Sequence, residues 1–134
     1  MWPFREKIPP VFFVQKPLSQ ESYSVLQRLN SEWTEEKYCK NEFALNAIGE
    51  IVSPIAETAV QWCVKGYVSK LLGQEDGHYF SRYEIGQYLD AMSLHLYNEY
   101  DTASVNNGRD GYANTKRVIE TALRNAVVVS IETP

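Results

Sequence analysis

Apolar side chains recur every three or four residues over most of the chain, which is the spacing of one face of an α-helix. In the segment 20–33, this spacing places Val25, Leu26 and Leu29 on one side. Ser19 precedes the segment, and a serine at this position can accept a hydrogen bond from a free backbone amide of the first turn. The pattern therefore predicts a first helix over about residues 20–33.

A second helical pattern begins after Thr34, which can also act as an N-cap. Glu35 and Glu36 follow it, where the positive end of the helix dipole favours negative charge. The inward stripe of this second helix is expected to consist of Ala44, Ile48, Ile51 and Ile55.

Pro54 interrupts this stripe. Ser53 and Pro54 match an N-cap followed by proline at the first helical position, so a new helix is predicted to begin there. One continuous helix with a kink at Pro54 is the alternative. The segment that follows is the most apolar of the chain and is predicted to end at Gly73, because glycine suits a left-handed C-terminal cap. Its inward stripe is expected to consist of Ala56, Val60, Cys63, Val64, Tyr67, Val68, Leu71 and Leu72.

Ser81 and Glu84 have the spacing of a capping box, in which each side chain satisfies a free backbone amide at the start of a helix. They predict a helix that continues to about Asp101. Its inward stripe is expected to consist of Ile85, Leu89, Met92 and Leu96.

The remaining predictions concern the two ends of the chain and its last third. Residues 102–111 are predicted to form a loop, because they are rich in asparagine and glycine. A last helix is predicted over about 112–127. Residues 127–131 are mostly β-branched, and a final strand there is an open alternative. Residues 1–18 carry four of the six prolines, which predicts an extended arm. We therefore expect a mainly all-α fold, an irregular bundle of four or five helices in a single domain over 1–134.

Composition narrows the class of protein. A net charge of −4 argues against a nucleic-acid partner, which needs a concentrated basic face. The longest apolar runs, at 11–14 and 126–131, are too short to span a bilayer, and the first seven residues lack the apolar segment of a signal peptide. The two cysteines are expected to be buried free thiols, as in a reducing compartment. We therefore expect a cytoplasmic protein without a membrane partner.

The residues that usually carry catalysis are sparse. Cys39 and Cys63 are 24 positions apart, which is not the close pairing of a zinc site, and no glycine-rich phosphate loop occurs. His95 and Glu99 are four positions apart and would share a helix face, but two ligands do not make a metal site. No metal and no cofactor are expected. A small enzyme built around His78, His95 and Glu99 is an alternative hypothesis.

Negative charge and tyrosine cluster between positions 73 and 110. This segment has seven acidic residues against two arginines, and seven of the nine tyrosines lie in or beside it. Tyrosine offers large contact area with few rotors, and carboxylates attract a basic partner. Solvation of helix exteriors and packing are the ordinary alternatives. Helical spacing places Tyr83, Asp90 and Tyr97 on the side away from the apolar stripe. The predicted contacts with a protein partner are Glu75, Asp76, Tyr79, Tyr83, Asp90, Tyr97, Glu99 and Asp101.

The first seven residues are Met1-Trp2-Pro3-Phe4-Arg5-Glu6-Lys7. This opening, an aromatic pair followed by basic residues, resembles the start of small bacterial immunity proteins of contact-dependent or type VI toxin systems. The resemblance covers these seven residues alone. It implies a stoichiometric inhibitor that binds and neutralises a cognate toxin, and many such toxins are basic nucleases.

Our leading hypothesis from the sequence is a non-enzymatic partner-binding protein, in particular an immunity protein against a basic toxin. A phage or plasmid accessory regulator that binds a host protein would use the same surface. The tyrosine-rich side could also form the interface of a homodimer.

Overall fold

The computed structural model describes residues 17–75, 77–78 and 80–128, and within them the chain is mainly α-helical, as predicted. The helices are α1 (Gln20–Glu32), α2 (Val64–Leu71), α3 (Glu84–Tyr97), α4 (Thr102–Asn106) and α5 (Gly111–Asn125). Two short strands, β1 (Ala44–Asn46) and β2 (Ala59–Trp62), and two 3₁₀ turns, Glu35–Lys37 and Phe80–Arg82, lie between them. In this part of the chain, no helix combines the length and the apolar character that crossing a membrane requires.

Helix α1 begins and packs as its sequence predicts. The Ser19 hydroxyl accepts a hydrogen bond from the amide of Ser22 at 3.1 Å, which is the expected N-cap. Leu26 and Leu29 are fully buried, and so is Trp33, which follows the last turn. The helix packs against α2, α3 and α5, so its apolar stripe closes one side of the core.

Helix α2 is short and sharply bounded. Cys63 is its N-cap, with a sulfur that accepts a hydrogen bond from the Gly66 amide at 3.4 Å. At the other end, Gly73 has a φ of +71° in the left-handed region, as predicted. The amide of Gln74 then reaches back to the carbonyl of Ser69 at 2.8 Å and closes the last turn.

The core is completed by α3 and α5, which pack against each other. The predicted stripe of α3 is confirmed, since all four of its members are buried: Ile85, Leu89, Met92 and Leu96. In α5, the predicted inward residues Val118, Ile119 and Ala122 are fully buried. The prediction of a loop over 102–111 was wrong in part, because α4 occupies its first half. Asp101 caps α4 by accepting a hydrogen bond from the Ser104 amide at 2.9 Å.

The capping box predicted at the start of α3 does not form. The helix begins at Glu84, and its N-cap is Tyr83. The Ser81 hydroxyl donates instead to Asp90 at 2.7 Å, and the Glu84 carboxylate accepts from the backbone amide of Ser19 at 3.0 Å. Both side chains of the motif therefore make longer-range contacts that hold α3 against its neighbours.

The helices predicted between Thr34 and Pro54 were wrong. Only the 3₁₀ turn Glu35–Lys37 follows Thr34, and β1 then pairs antiparallel with β2. Pro54 neither starts nor kinks a helix: it is buried in the connection between the strands, where its carbonyl accepts the indole N–H of Trp62 at 2.9 Å. In the stripe expected for this region, Ala44 alone is fully buried.

The two ends of the described chain meet. The amide of Leu18 donates to the carbonyl of Val127 at 2.7 Å, and Leu18 forms an isolated parallel bridge with Val128. The predicted strand over 127–131 is thus seen only as this bridge, since residues 129–131 lie outside the described part. The predicted arm over 1–18 likewise falls almost entirely outside it.

Candidate protein-binding surface

The connection between β1 and β2 starts with a tight turn built on Asn46. The Asn46 side-chain oxygen accepts the amides of Ile48 at 3.1 Å and Glu50 at 2.8 Å, and its side-chain nitrogen donates to the Glu50 carboxylate at 2.9 Å. Gly49 supplies the positive φ of +83° that the turn requires. Asparagine and glycine therefore fix this turn by local hydrogen bonds, without help from the core.

The rest of the connection is tied down on both sides. Ile51 forms an antiparallel bridge with Leu45, and the amide of Val52 donates to the carbonyl of Ala44 at 3.1 Å. Further along, the Ser53 hydroxyl donates to the carbonyl of Glu75 at 3.2 Å. These bonds, together with the hydrogen bond from the Trp62 indole to the Pro54 carbonyl, fix the backbone of the connection at several points.

This ordered connection exposes large apolar side chains. Ile48 is 79% exposed, Ile51 67% and Ile55 44%, and Val60 at the start of β2 is 43% exposed. We refer to residues 47–60, with these four side chains, as the isoleucine loop. Single exposed apolar residues are ordinary, but three isoleucines on one pinned loop are the kind of surface that marks a protein contact.

Part of the isoleucine loop is concave. Ile48 and Val60 line a shallow depression of about 370 Å³. Its remaining lining comes from Asn46, Ala47, Glu57 and Thr58. The lining therefore combines apolar side chains with the carboxylate of Glu57.

The isoleucine loop is also acidic. The segment 41–64 has three glutamates, Glu42, Glu50 and Glu57, and neither lysine nor arginine. Glu50 and Glu57 are exposed, and no salt bridge inside the described chain involves either of them. Exposed Glu75 lies beside the loop, because its carbonyl accepts the Ser53 hydroxyl. The apolar side chains are therefore bordered by negative charge that the described part of the chain does not neutralise by ion pairing.

The acidic residues predicted as partner contacts divide into two groups. Asp90 and Asp101 have roles within the fold. Asp90 accepts hydrogen bonds from the amide and hydroxyl of Thr102 and from Ser81, and Asp101 caps α4. Glu75 and Glu99 are exposed and available.

The tyrosines are less exposed than helical spacing suggested. Tyr83 and Tyr97 are half-buried and pack against the core, so the expectation that both face away from it was wrong. The Tyr97 hydroxyl donates to Asn114 at 3.3 Å. Tyr67 and Tyr88 are core residues. The predicted contacts Asp76 and Tyr79 lie outside the described residues.

His95 and Glu99, two residues of the alternative enzyme site, do not share a helix face, so that prediction was wrong. Helix α3 ends at Tyr97 with the left-handed residue Asn98, so Glu99 no longer follows His95 on the helix. His78 is exposed and contacts the ring of Phe43 edge-on, at 5.1 Å between ring centroids. Within the described residues, no group of three or more potential metal ligands occurs.

Comparison with known proteins adds no relative. The sequence and the structure matched no family model, no curated protein and no solved structure.

Sequence reasoning missed the isoleucine loop because Ile48, Ile51 and Ile55 have helical spacing. The signal against a helix was local: Asn46 and Gly49 stand three residues apart, and both favour turns over helix interiors. A glycine inside a predicted stripe lowers helix stability and is typical of a bend.

Proposed function

We propose that this protein is a non-enzymatic immunity protein that binds and neutralises a basic bacterial toxin, and that the isoleucine loop is its contact surface. The observation that carries the proposal is the exposure of Ile48 and Ile51 on a loop whose backbone is fixed by hydrogen bonds. A binding loop that is already ordered loses little conformational entropy when a partner docks.

The apolar part of the loop supplies affinity. Full burial of an isoleucine side chain contributes roughly 1.5–3 kcal/mol. Ile48, Ile51 and Ile55 together could therefore supply a large share of the binding free energy of a tight inhibitor, since a few central residues dominate most interfaces.

The acidic part of the loop specifies the partner. Glu50, Glu57 and Glu75 border the apolar side chains, and a partner with a basic rim around an apolar contact would complement them. Such charge complementarity speeds encounter and suppresses wrong partners. The resemblance of the N-terminus implies a toxin partner, and a basic nuclease-type toxin would supply the positive charge of such a rim.

The direct test is rescue of growth. We expect the gene of the cognate toxin to lie beside the gene of this protein. That toxin would be expressed in a host cell together with the wild-type chain, with I48D/I51D, or with L94D as a matched control. Leu94 is 54% exposed on α3, away from the loop. We expect rescue by the wild type and L94D and not by I48D/I51D. Failure of the wild type would contradict the function, and rescue by I48D/I51D at equal expression would contradict the surface.

A further inference from the structure

Cys39 and Cys63 lie side by side, although they are far apart in the sequence. Tyr38 and Trp62 form a parallel bridge, and each cysteine is the next residue after one of them. The amide of Cys39 donates to the carbonyl of Trp62 at 3.2 Å. Neighbouring strands lie about 5 Å apart, and the two cysteines directly follow the bridged residues, so their backbones are adjacent.

Asn106 holds the two segments together at this point. Its side-chain nitrogen donates to the carbonyl of Cys39 at 3.2 Å, and its side-chain oxygen accepts the amide of Val64, the residue after Cys63, at 3.0 Å. Asn106 is fully buried, so this clamp is shielded from water. The Asn106 amide therefore lies between the two backbones, where the next direct hydrogen bond of a parallel ladder would form, and it fixes their separation there.

The thiols are free, buried and electrostatically coupled. Burial raises the pKa of Cys39 to about 12, with a further contribution from the Cys63 thiol. Burial likewise raises the pKa of Cys63. The Cys39 thiol donates to the carbonyl of Glu42 at 3.4 Å, and the Cys63 sulfur accepts the Gly66 amide. Both groups are protonated at neutral pH, so they react slowly.

A small molecule can still approach the pair. Cys63 lines a cavity of about 200 Å³. The other lining residues are Asn41, Glu42, Phe43, Lys65, Ala103, Asn106 and Asn107. Cys63 therefore borders a space that a small oxidant can enter.

We propose that Cys39 and Cys63 form an intramolecular disulfide when the folded protein meets a two-electron thiol oxidant. A Cα separation of about 5 Å lies within the range that a disulfide bridges. The bond would remove the proton that the Cys39 thiol donates to the carbonyl of Glu42. The disulfide would join the two ends of the segment that contains β1, the isoleucine loop and β2. Its formation does not depend on the identity of a partner.

Diamide, a diazene, is a suitable two-electron oxidant of thiols. The Cys63 thiolate adds to the nitrogen–nitrogen double bond and forms a sulfur–nitrogen bond. The Cys39 thiolate then attacks that sulfur, so the sulfur–sulfur bond forms as the sulfur–nitrogen bond breaks. The two thiols lose two protons and two electrons in total. Diamide takes up these two protons and two electrons and becomes the hydrazine.

The test treats the folded full-length protein with diamide for several hours, removes the reagent, unfolds the chain in urea and alkylates it with iodoacetamide. We expect the two alkylated cysteines of the untreated protein to fall to none, in a chain that stays monomeric. Protease digestion without reductant should yield one peptide pair that joins Cys39 to Cys63. C39S and C63S, treated in the same way, should each keep one alkylatable thiol.

Two results would overturn the proposal. One is a folded protein that keeps two alkylatable thiols while the urea-unfolded chain forms the bond under the same reagent. The other is oxidation that yields only disulfide-linked dimers. Both results would show that the folded protein does not form the proposed bond, and both are read on the wild-type chain, without reliance on the folding of a variant.

Discussion

The carboxylate of Asp90 accepts two hydrogen bonds from Thr102, from the backbone amide at 2.8 Å and from the hydroxyl at 2.7 Å. Asp90 lies in the middle of α3, and Thr102 is the first residue of α4. The other carboxylate oxygen accepts the Ser81 hydroxyl. One side chain thus connects α3, α4 and the turn before α3, and Thr102 itself is fully buried.

Removal of this carboxylate should destabilise the fold. Hydrogen bonds to a charged group contribute about 1.5–3 kcal/mol each, and D90A leaves the amide of buried Thr102 without its partner, so we expect a loss of about 3 kcal/mol. Urea unfolding followed by circular dichroism measures it. The matched control is E99A, at an exposed position, with an expected change within about 0.5 kcal/mol. Equal stabilities of the two variants would show that Asp90 is not a structural residue.

A second prediction concerns the close contact between α2 and the chain before β1. A Cβ added at Gly66 would lie 1.8 Å from the backbone oxygen of Phe43, so G66A must push two backbones apart. We expect a loss of about 3 kcal/mol in unfolding free energy, the upper range for overpacking.

Gly49 provides the comparison. It has open space around it but a φ of +83°, so G49A should cost roughly 1–2 kcal/mol through backbone strain. In the helix that the sequence predicted for this region, the same substitution would instead stabilise by about 1 kcal/mol, because alanine favours helix. The sign of the G49A effect in urea unfolding therefore distinguishes the strand-and-loop structure from a helix.

Whether a sequence pattern predicts an element of the fold correctly depends on which contacts form that element. The stripes of α1, α3 and α5 were predicted correctly because their apolar residues pack against one another. The caps at Ser19 and Gly73 were also predicted correctly, because a cap is satisfied by residues within a turn or two of it.

One failure arises where side chains bond to partners outside the first turn of the helix. Ser81 and Glu84 match a capping box, but their partners are Asp90 and Ser19. Helical spacing alone does not reveal such bonds. Of the proposed contact surface, the sequence analysis named acidic Glu75, but it assigned the isoleucines to the core. Solvent exposure of an isoleucine is a property of the tertiary fold, and spacing does not report it.

Stability in acid should depend on Glu84. Partial burial raises the pKa of this carboxyl, but hydrogen bonds from the Ser19 amide and from the hydroxyls of Ser22 and Ser19 outweigh it, so the pKa lies below the ordinary 4.5. A carboxyl with a depressed pKa stabilises the fold above its unfolded pKa, and this stability is lost as pH falls through the folded value.

The test compares the wild type with E84Q in urea unfolding from about pH 6 to about pH 3. We expect the wild type to be more stable at the upper end and its advantage to shrink as the pH falls. A difference between the two that stays constant over this range would mean that Glu84 does not contribute through its charge.

The electrostatic part of the proposed function is tested by charge reversal. E50K/E57K should slow association with the toxin about tenfold at low salt and weaken the dependence of the rate on salt, because both charges border the contact. E36K/E120K changes the net charge equally at exposed positions elsewhere and should have a much smaller effect. Stopped-flow or surface-plasmon measurements at several salt concentrations give both rates. Equal effects of the two variants would assign the attraction to net charge rather than to the isoleucine loop.

The most direct test of the isoleucine loop is the affinity of I48D/I51D for the toxin, measured by titration calorimetry beside the wild type and L94D. Each variant must first show the circular dichroism spectrum and melting temperature of a folded protein. We expect I48D/I51D to bind at least about 100-fold more weakly, since two buried isoleucines contribute about 3 kcal/mol or more, while L94D keeps the wild-type affinity. Wild-type affinity in folded I48D/I51D would contradict the assignment of this loop as the contact surface.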